Sequence, residues 1–366
     1  MNNSASVPVV VVGLGALGRF FVRAAAADPR IAIVGAVDTD PAKIGRTVEQ
    51  VTGESTGAGL PVAGDLATLI RQVPVRPQVL VHMTESRPDR ILQPLLDGIA
   101  AGLHVLSAAE SMFHPWLRYP EHARRLHEAA TAAGVTVTGT GINPGFVSDQ
   151  LVLDVAAAST GITGIRLSRA VEVSDTGPGD VEHVGFGLSV EEFRRRVADG
   201  HVEGHMGLPE SFALLAERLD LPIERITESW EPVSVDRVTP SAIGDIAPGH
   251  VVGIVQQAHA FSGSAEVMTA RLAMYYGEGF ESPHDEIVLE GLHRIHLRIE
   301  PASVSILGAA IVLANTVPLL PAAPLGLVSV LDLPTRTPRS DLRYLVDGAA
   351  SRPGHIVLEQ VGSAPE

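Results

Sequence analysis

The sequence predicts an α/β protein in which an N-terminal Rossmann-type parallel sheet is joined to a second α+β domain with a mixed or antiparallel, open-faced sheet. Three observations carry this expectation. Over roughly the first 140 residues, short β-branched runs alternate with amphipathic helical stretches, as parallel βαβ units covered on both faces require. A G-x-G-x-x-G turn separates the first run from the first helix. Beyond about residue 145 the rhythm changes to longer strand-like runs and capped helices.

The elements follow in order. Residues 9–12 are four consecutive valines, and Leu17, Phe21, Ala24 and Ala25 then recur at helical spacing. Residues 31–37 form the next strand. A helix is expected over 66–73, a strand over 79–83, a helix opened by Pro88, and a strand over 104–107. Residues 120–133 read as a helix stopped by Gly134, with a strand over 135–138. In the second region a helix over 148–158 precedes a long strand over 164–173. Ser189 to Glu192 is a capping box, and a further helix covers 209–219. Strand-like runs follow over 223–233, 251–261, 267–275 and 287–299. In the last, Ile295, Leu297 and Ile299 alternate with Arg294, His296 and Arg298, which predicts a half-exposed sheet and a candidate dimer face.

A chain of 366 residues suggests two domains, and the change of pattern sets the boundary near 145: residues 1–145 bind the dinucleotide, and 146–310 bind substrate and dimerise. The composition is 45% hydrophobic with a net charge of −15, so the chain can bury a core and lacks the clustered cations of a nucleic-acid binder. With no cysteine, a disulfide framework, a thiolate metal site and a cysteine nucleophile are all excluded. The N-terminal residues lack a basic leader region, so a cytoplasmic protein is expected. The apolar stretch 304–331 raises a membrane question, but Asn315, Pro318, Pro321 and Pro324 interrupt it, and a buried helix is the expected reading.

Gly13-Leu14-Gly15-Ala16-Leu17-Gly18 follows a strand and opens a helix, and Asp38 stands about 20 residues later at a strand end. Gly13 permits the turn, Gly15 leaves room for a pyrophosphate, and Gly18 lets helix and strand approach. The helix N-terminus offers N–H groups to the phosphates. Asp38 would accept hydrogen bonds from the ribose hydroxyls and repel a 2′-phosphate, while Lys43 and Arg46 soften that repulsion. NAD(H) is therefore expected, with NADP(H) tolerated. Thr84 and Ser86, past the strand over 79–83, either line the cofactor or cap the next helix.

Glu110 stands just past the strand over 104–107, among Ala108, Ala109, Met112, Phe113 and Trp116. It is either a general acid/base on the nicotinamide side or a surface glutamate at a helix start. Free glutamate titrates near pH 4.3, so exchanging protons with ammonia near neutral pH calls for a buried carboxyl. The turn Gly141-Ile142-Asn143-Pro144-Gly145-Phe146 either brings Asn143 to the nicotinamide carboxamide or joins the domains. His201 and His205 stand four apart but beside Gly200 and Gly204, and His293 and His296 fall on opposite strand faces. No metal site is expected from either pair.

Together, the glycine turn, Asp38 with Lys43, Glu110 and the 141–146 loop resemble the 2,4-diaminopentanoate dehydrogenase and native amine dehydrogenase family, which has a dihydrodipicolinate-reductase-like architecture. Gly185-Phe186-Gly187, Leu208-Pro209-Glu210-Ser211 and Ala314-Asn315-Thr316-Val317-Pro318 extend the likeness along nearly the whole chain. The resemblance implies NAD(P)H-dependent reductive amination of a ketone or aldehyde lacking an α-carboxylate, and the reverse deamination, with ammonia as co-substrate. It implies Glu110 as the acid/base, Asn143 and Asn315 near the nicotinamide, and Phe146, Glu172 and His183 facing the substrate. It also implies a homodimer through the second sheet and a segment, 311–366, that returns to the cofactor domain. The alternatives are an imine reductase or dehydrogenase acting on a diamino acid or cyclic imine, and a non-catalytic NAD-binding protein.

Overall fold

The computed structural model describes residues 6–338 except 57–58, 175–180, 182–183, 203, 242 and 278. In the first domain, β1 (Val7–Val12), β2 (Ile31–Val37), β3 (Val62–Ala63), β4 (Val79–His82), β5 (His104–Ser107) and β6 (Thr136–Gly139) all run parallel. The valine run of β1 is explained by its position, because both of its faces are covered. Val9 and Val11 pack with Phe21 and Val22 of α1 (Ala16–Ala26), and Val10 packs with Leu80, Leu95 and Val105 on the other side.

The second domain is built on β7 (Gly164–Glu172), β8 (Arg225–Ser234), β9 (Val251–Ser262), β10 (Ala265–Tyr275), β11 (His284–Glu290) and β12 (Ile295–Ile299), in the spatial order β12-β11-β7-β10-β9-β8. The sheet is mixed: β7 and β10 are parallel and the other pairs antiparallel. One face carries Ile165, Leu167, Ile254, Met268 and Leu272 against Phe193, Leu208, Phe212 and Leu215 of the helices. The other face, with Arg166, Gln257, His296 and Arg298, is open. The run over 287–299 is two strands rather than one. Residues 291–294 turn between β11 and β12, and Leu292 is exposed at the tip.

The chain then returns to the first domain. The helix Ser305–Thr316 packs along α1, and β13 (Gly326–Leu327) adds to β6, giving the seven-stranded order β13-β6-β5-β4-β1-β2-β3. Sequence order reverses between β1 and β4, which opens the crevice in which such sheets bind ligands. The segment Ser305–Ala322 is long and apolar enough to cross a membrane, with a mean hydropathy of 1.7. Here its Leu313, Ala314, Val317 and Leu320 join the core around Phe21. Residues 339–366 of the returning segment lie outside the described residues.

A buried ion pair ties this return to the second sheet. Arg169 of β7 and Asp285 of β11 are 4% and 1% exposed and bonded to each other. Arg169 Nη2 donates to Ser303 O at 2.8 Å, and Ser303 N donates to Asp285 Oδ2 at 2.7 Å. Breaking one side leaves a buried uncompensated charge. Asp285→Leu should therefore lower the unfolding free energy by about 3–5 kcal/mol, and adding Arg169→Met should recover most of it, as read by urea denaturation of both proteins.

Candidate active site

The glycine turn is packed too closely for side chains. Gly13 lies at φ +96°, and a Cβ there would stand 2.6 Å from Met83 O; a Cβ on Gly18 would stand 2.1 Å from Gly13 O. Gly15, the residue before α1, faces open space, and no side chain caps the helix start. Free N–H groups above an unfilled cradle are what a pyrophosphate requires. Leu14 is buried beneath the turn, and its N–H donates to Asp38 Oδ2 at 2.9 Å; Ala16 and Leu17 begin the helix. Asp38 Oδ1 accepts from Asp40 N at 3.0 Å. Lys43 Nζ lies 2.9 Å from Asp38 Oδ2 and 3.3 Å from Leu14 O. Burial alone would raise the Asp38 carboxyl, but the N–H groups of Asp40 and Leu14 and the Lys43 ammonium together hold it below its ordinary value. Arg46 turns away to Gln50 O.

At the next strand ends, Thr84 and Ser86 take different roles. Thr84 Oγ1 lies 2.7 Å from His82 Nε2, and His82 Nδ1 lies 3.1 Å from Ser107 Oγ. Ser107 Oγ also accepts from Ala109 N at 3.1 Å, so a buried neutral imidazole braces the segment leading to Glu110. Ser86 does not cap the following helix. Its Oγ accepts from Glu110 N at 3.1 Å and fixes the start of the 3-10 turn Glu110–Met112.

The Glu110 side chain is 24% exposed, and Ala109, Met112 and Phe113 around it are buried. Trp116 is a correction: it is 41% exposed and stands edge-on to the His127 ring, so it does not wall the carboxylate. Closure comes instead from the second domain. Met206 N donates to Glu110 Oε2 at 2.9 Å, and His205 Nε2 lies 3.6 Å from Glu110 Oε1. The same His205 Nε2 lies 2.8 Å from Asn143 O, and Gly207, at φ +133°, lies so close to Pro144 that a Cβ would meet its ring at 2.6 Å. Glu110 and Asn143 are thus gripped by one short segment of the second domain. Both amide atoms of Asn143 are buried without a partner among the described residues. An orphaned donor beside an orphaned acceptor complements a carboxamide, and with the glycine cradle the chain fits a nicotinamide dinucleotide.

The loop is braced from behind. Gly145 N donates to Asp149 Oδ2 at 2.8 Å, and Arg336 donates to Thr140 Oγ1 and Gly145 O at 3.0 and 2.8 Å. Arg336 also covers the Phe146 ring at 5.6 Å. Asn315 lies half-buried in the last turn of the returning helix, while Gly308 at the other end of that helix packs on Ile142. Glu172 is not brought to Glu110. β7 turns Val171 into the core and Glu172 to the opposite face, where its carboxylate accepts from Ser174 N and Gly277 N at 2.9 and 3.0 Å. His183 lies outside the described residues. Sequence reasoning considered His205 only as a metal partner of His201 and missed Met206 and Arg336. A backbone N–H and a contact across about 190 residues leave no local pattern.

The comparisons agree with this geometry. The model of the 2,4-diaminopentanoate dehydrogenase C-terminal domain matches residues 146–346. The chain is 26% identical to 2,4-diaminopentanoate dehydrogenase of Acetoanaerobium sticklandii, over 94% of this chain and 98% of that one. It is 24% identical to an amine dehydrogenase of Streptomyces virginiae over 80% and 85% of the two chains. In structure it resembles an amine dehydrogenase from Mycobacterium smegmatis, with a TM-score of 0.82 and 24% identity over 93% and 99% of the chains.

Burial pushes the His82 imidazole down to about 4. Between that value and the unfolded value near 6.5 the folded chain binds fewer protons than the unfolded one. The stability is therefore complete above pH 6.5 and is lost as the pH falls toward 4, by about 3 kcal/mol. Urea denaturation at pH 7 and pH 4.5 should show a smaller acid loss in His82→Asn than in the wild type; equal losses would contradict the neutral brace.

Proposed function

The chain belongs to the family of the 2,4-diaminopentanoate dehydrogenase C-terminal domain, and from that premise we propose that it is an NAD(P)H-dependent amine dehydrogenase. It aminates a ketone or aldehyde reductively with ammonia and deaminates the amine in reverse. The observation that carries this reading is the Glu110 carboxylate, one-quarter exposed, held by Met206 N and joined through His205 to the main-chain carbonyl of Asn143, a residue whose own amide is buried without a partner among the described residues. A partly shielded carboxylate at the carboxyl end of a parallel sheet is positioned to exchange protons with the nitrogen and oxygen of the reacting group.

When bound, the nicotinamide accepts or delivers that hydride. Gly13, Leu14, Gly15, Ala16, Leu17 and Gly18 would hold its pyrophosphate, Asp38 its ribose, and Asn143 its carboxamide. Thr84 supports the cradle from below and Asn315 from the returning helix. Glu110 does the acid/base work. In the aminating direction it takes a proton from the ammonium ion, so that free ammonia attacks the carbonyl. It then protonates the carbinolamine hydroxyl, and water leaves from the resulting imine precursor. In deamination it activates water against the imine. Phe146, under Arg336, would bound the pocket.

NAD(H) is the preferred cofactor, because the Asp38 carboxylate repels a 2′-phosphate, and Lys43 at 2.9 Å lets NADP(H) be tolerated. The open face of the second sheet would bury itself against a second copy, giving a cytoplasmic homodimer.

NADH oxidation with a panel of aliphatic ketones should depend on ammonium. Glu110→Gln should lower kcat by about 10³ while NADH binding, followed by fluorescence, stays within twofold. Ammonium-independent turnover would reject the reaction, and an active Glu110→Gln would reject the assignment. Asp38→Ala releases Lys43 toward a 2′-phosphate and should raise the NADPH-to-NADH ratio of kcat/KM by about tenfold or more.

A further inference from the structure

His205 touches both Glu110 and Asn143, and nothing in the acid/base reading of Glu110 assigns it a task. It is 7% exposed, and its Nε2 lies 2.8 Å from Asn143 O. A carbonyl oxygen only accepts, so Nε2 carries the ring proton. The same N–H edge faces Glu110 Oε1 at 3.6 Å. Nδ1 is then a bare acceptor, buried without a partner among the described residues.

That arrangement argues against two simpler roles. A residue kept only to fill space would be apolar, since an orphaned buried acceptor costs stability. A proton relay would need a side chain on Nδ1 to receive or supply the proton, and none stands there among the described residues. We infer that His205 is a positioning residue, a neutral imidazole whose Nε2–H holds the Asn143 carbonyl and sets the Glu110 carboxylate against Met206 N. The inference rests on Glu110 being the acid/base.

The segment is built to hold the ring still. Gln256 of β9, fully buried, donates to His205 O at 2.7 Å and to Glu228 Oε1 at 2.6 Å. Glu228 and Glu210 both bind Arg118, which follows the Glu110 turn in the first domain. Gly204 lies against Trp230 and Gly207 against Pro144, so the residues on each side of the ring are wedged. The charged groups facing the ring are Glu110 at its Nε2 edge, Arg169 from β7, Glu228 from β8 and Glu210 from the helix Leu208–Leu219. Burial, with the Arg169 charge, holds the imidazole below its ordinary value against the upward pull of the Asn143 O hydrogen bond and of Glu228 and Glu210.

Two neutral, polar replacements that differ only in reach test the inference. The amide nitrogen of Gln comes where Nε2 stands, and that of Asn comes where Nδ1 stands. With saturating NADH, ammonium and ketone, His205→Gln should keep kcat within about threefold and leave the acidic limb of the pH–kcat profile in place. His205→Asn should lose about tenfold or more in kcat, with a smaller change in KM, and its acidic limb should move upward as Glu110 loses the facing N–H. Equal losses in both variants, full activity in both, or a greater loss in Gln than in Asn would overturn the inference. Glu110→Gln, run alongside, separates the two readings. If it is inactive while both His205 variants are fully active, only the role of His205 fails; if it is active, the acid/base assignment fails first.

Discussion

The site depends on one hydrogen bond between domains, from the backbone N–H of Met206 to the Glu110 carboxylate at 2.9 Å. Glu110 is presented by the cofactor domain, at the carboxyl end of β5, where the topology of a parallel sheet puts ligand-binding residues. Trp116 of the first domain faces away from that carboxylate. The second domain reaches it through residues 205–206, and His205 is fixed by Gln256 on the second sheet. A carboxylate held by a backbone donor has its direction fixed by the main chain of the other domain.

The glycine turn shows the complementary principle: its parts are bonded to one another. Asp38 is drawn to the glycine turn by Leu14 N and to Lys43 by charge. The Asp38 carboxylate and the glycine turn are thereby locked to each other. The return of Ser305–Thr316 onto α1 adds rigidity from the far end of the sequence.

How much of this the sequence displayed depended on range. The β1 valines, the glycine turn, Asp38 and the helix stopped by Gly134 are local patterns with local causes, and they fold as read. The two-residue strands β3 and β13 escaped because two residues carry no periodicity. The run over 287–299 looked continuous because β11 and β12 share an alternating pattern across a short turn. Glu172 was misplaced by one side of a strand: its position at the end of β7 was right, but period-two alternation sends it to the open face. Arg336 and Met206 act over long sequence separations, one by crossing to Gly145 O and the other by a main-chain N–H that any residue could supply.

Some of the unsatisfied polar atoms cluster at the seam. A fold optimised for stability alone pairs or removes buried polar groups. Among the described residues, the unpartnered atoms Asn143 Nδ2 and Oδ1, His205 Nδ1, Gln256 Oε1 and Glu210 Oε2 belong to residues along one bonded path, while others, such as Glu49 Oε2 and Thr239 Oγ1, are scattered elsewhere. Asn143 is bonded to His205, His205 to Gln256, Gln256 to Glu228, and Glu228 through Arg118 to Glu210. That path follows the seam between the domains and passes Glu110. The cores of the two domains, filled by Val9, Phe21, Phe193 and Phe212, pack tightly on either side of it. A seam that carries open hydrogen-bonding capacity between two such cores has buried polar groups with which to meet a polar ligand.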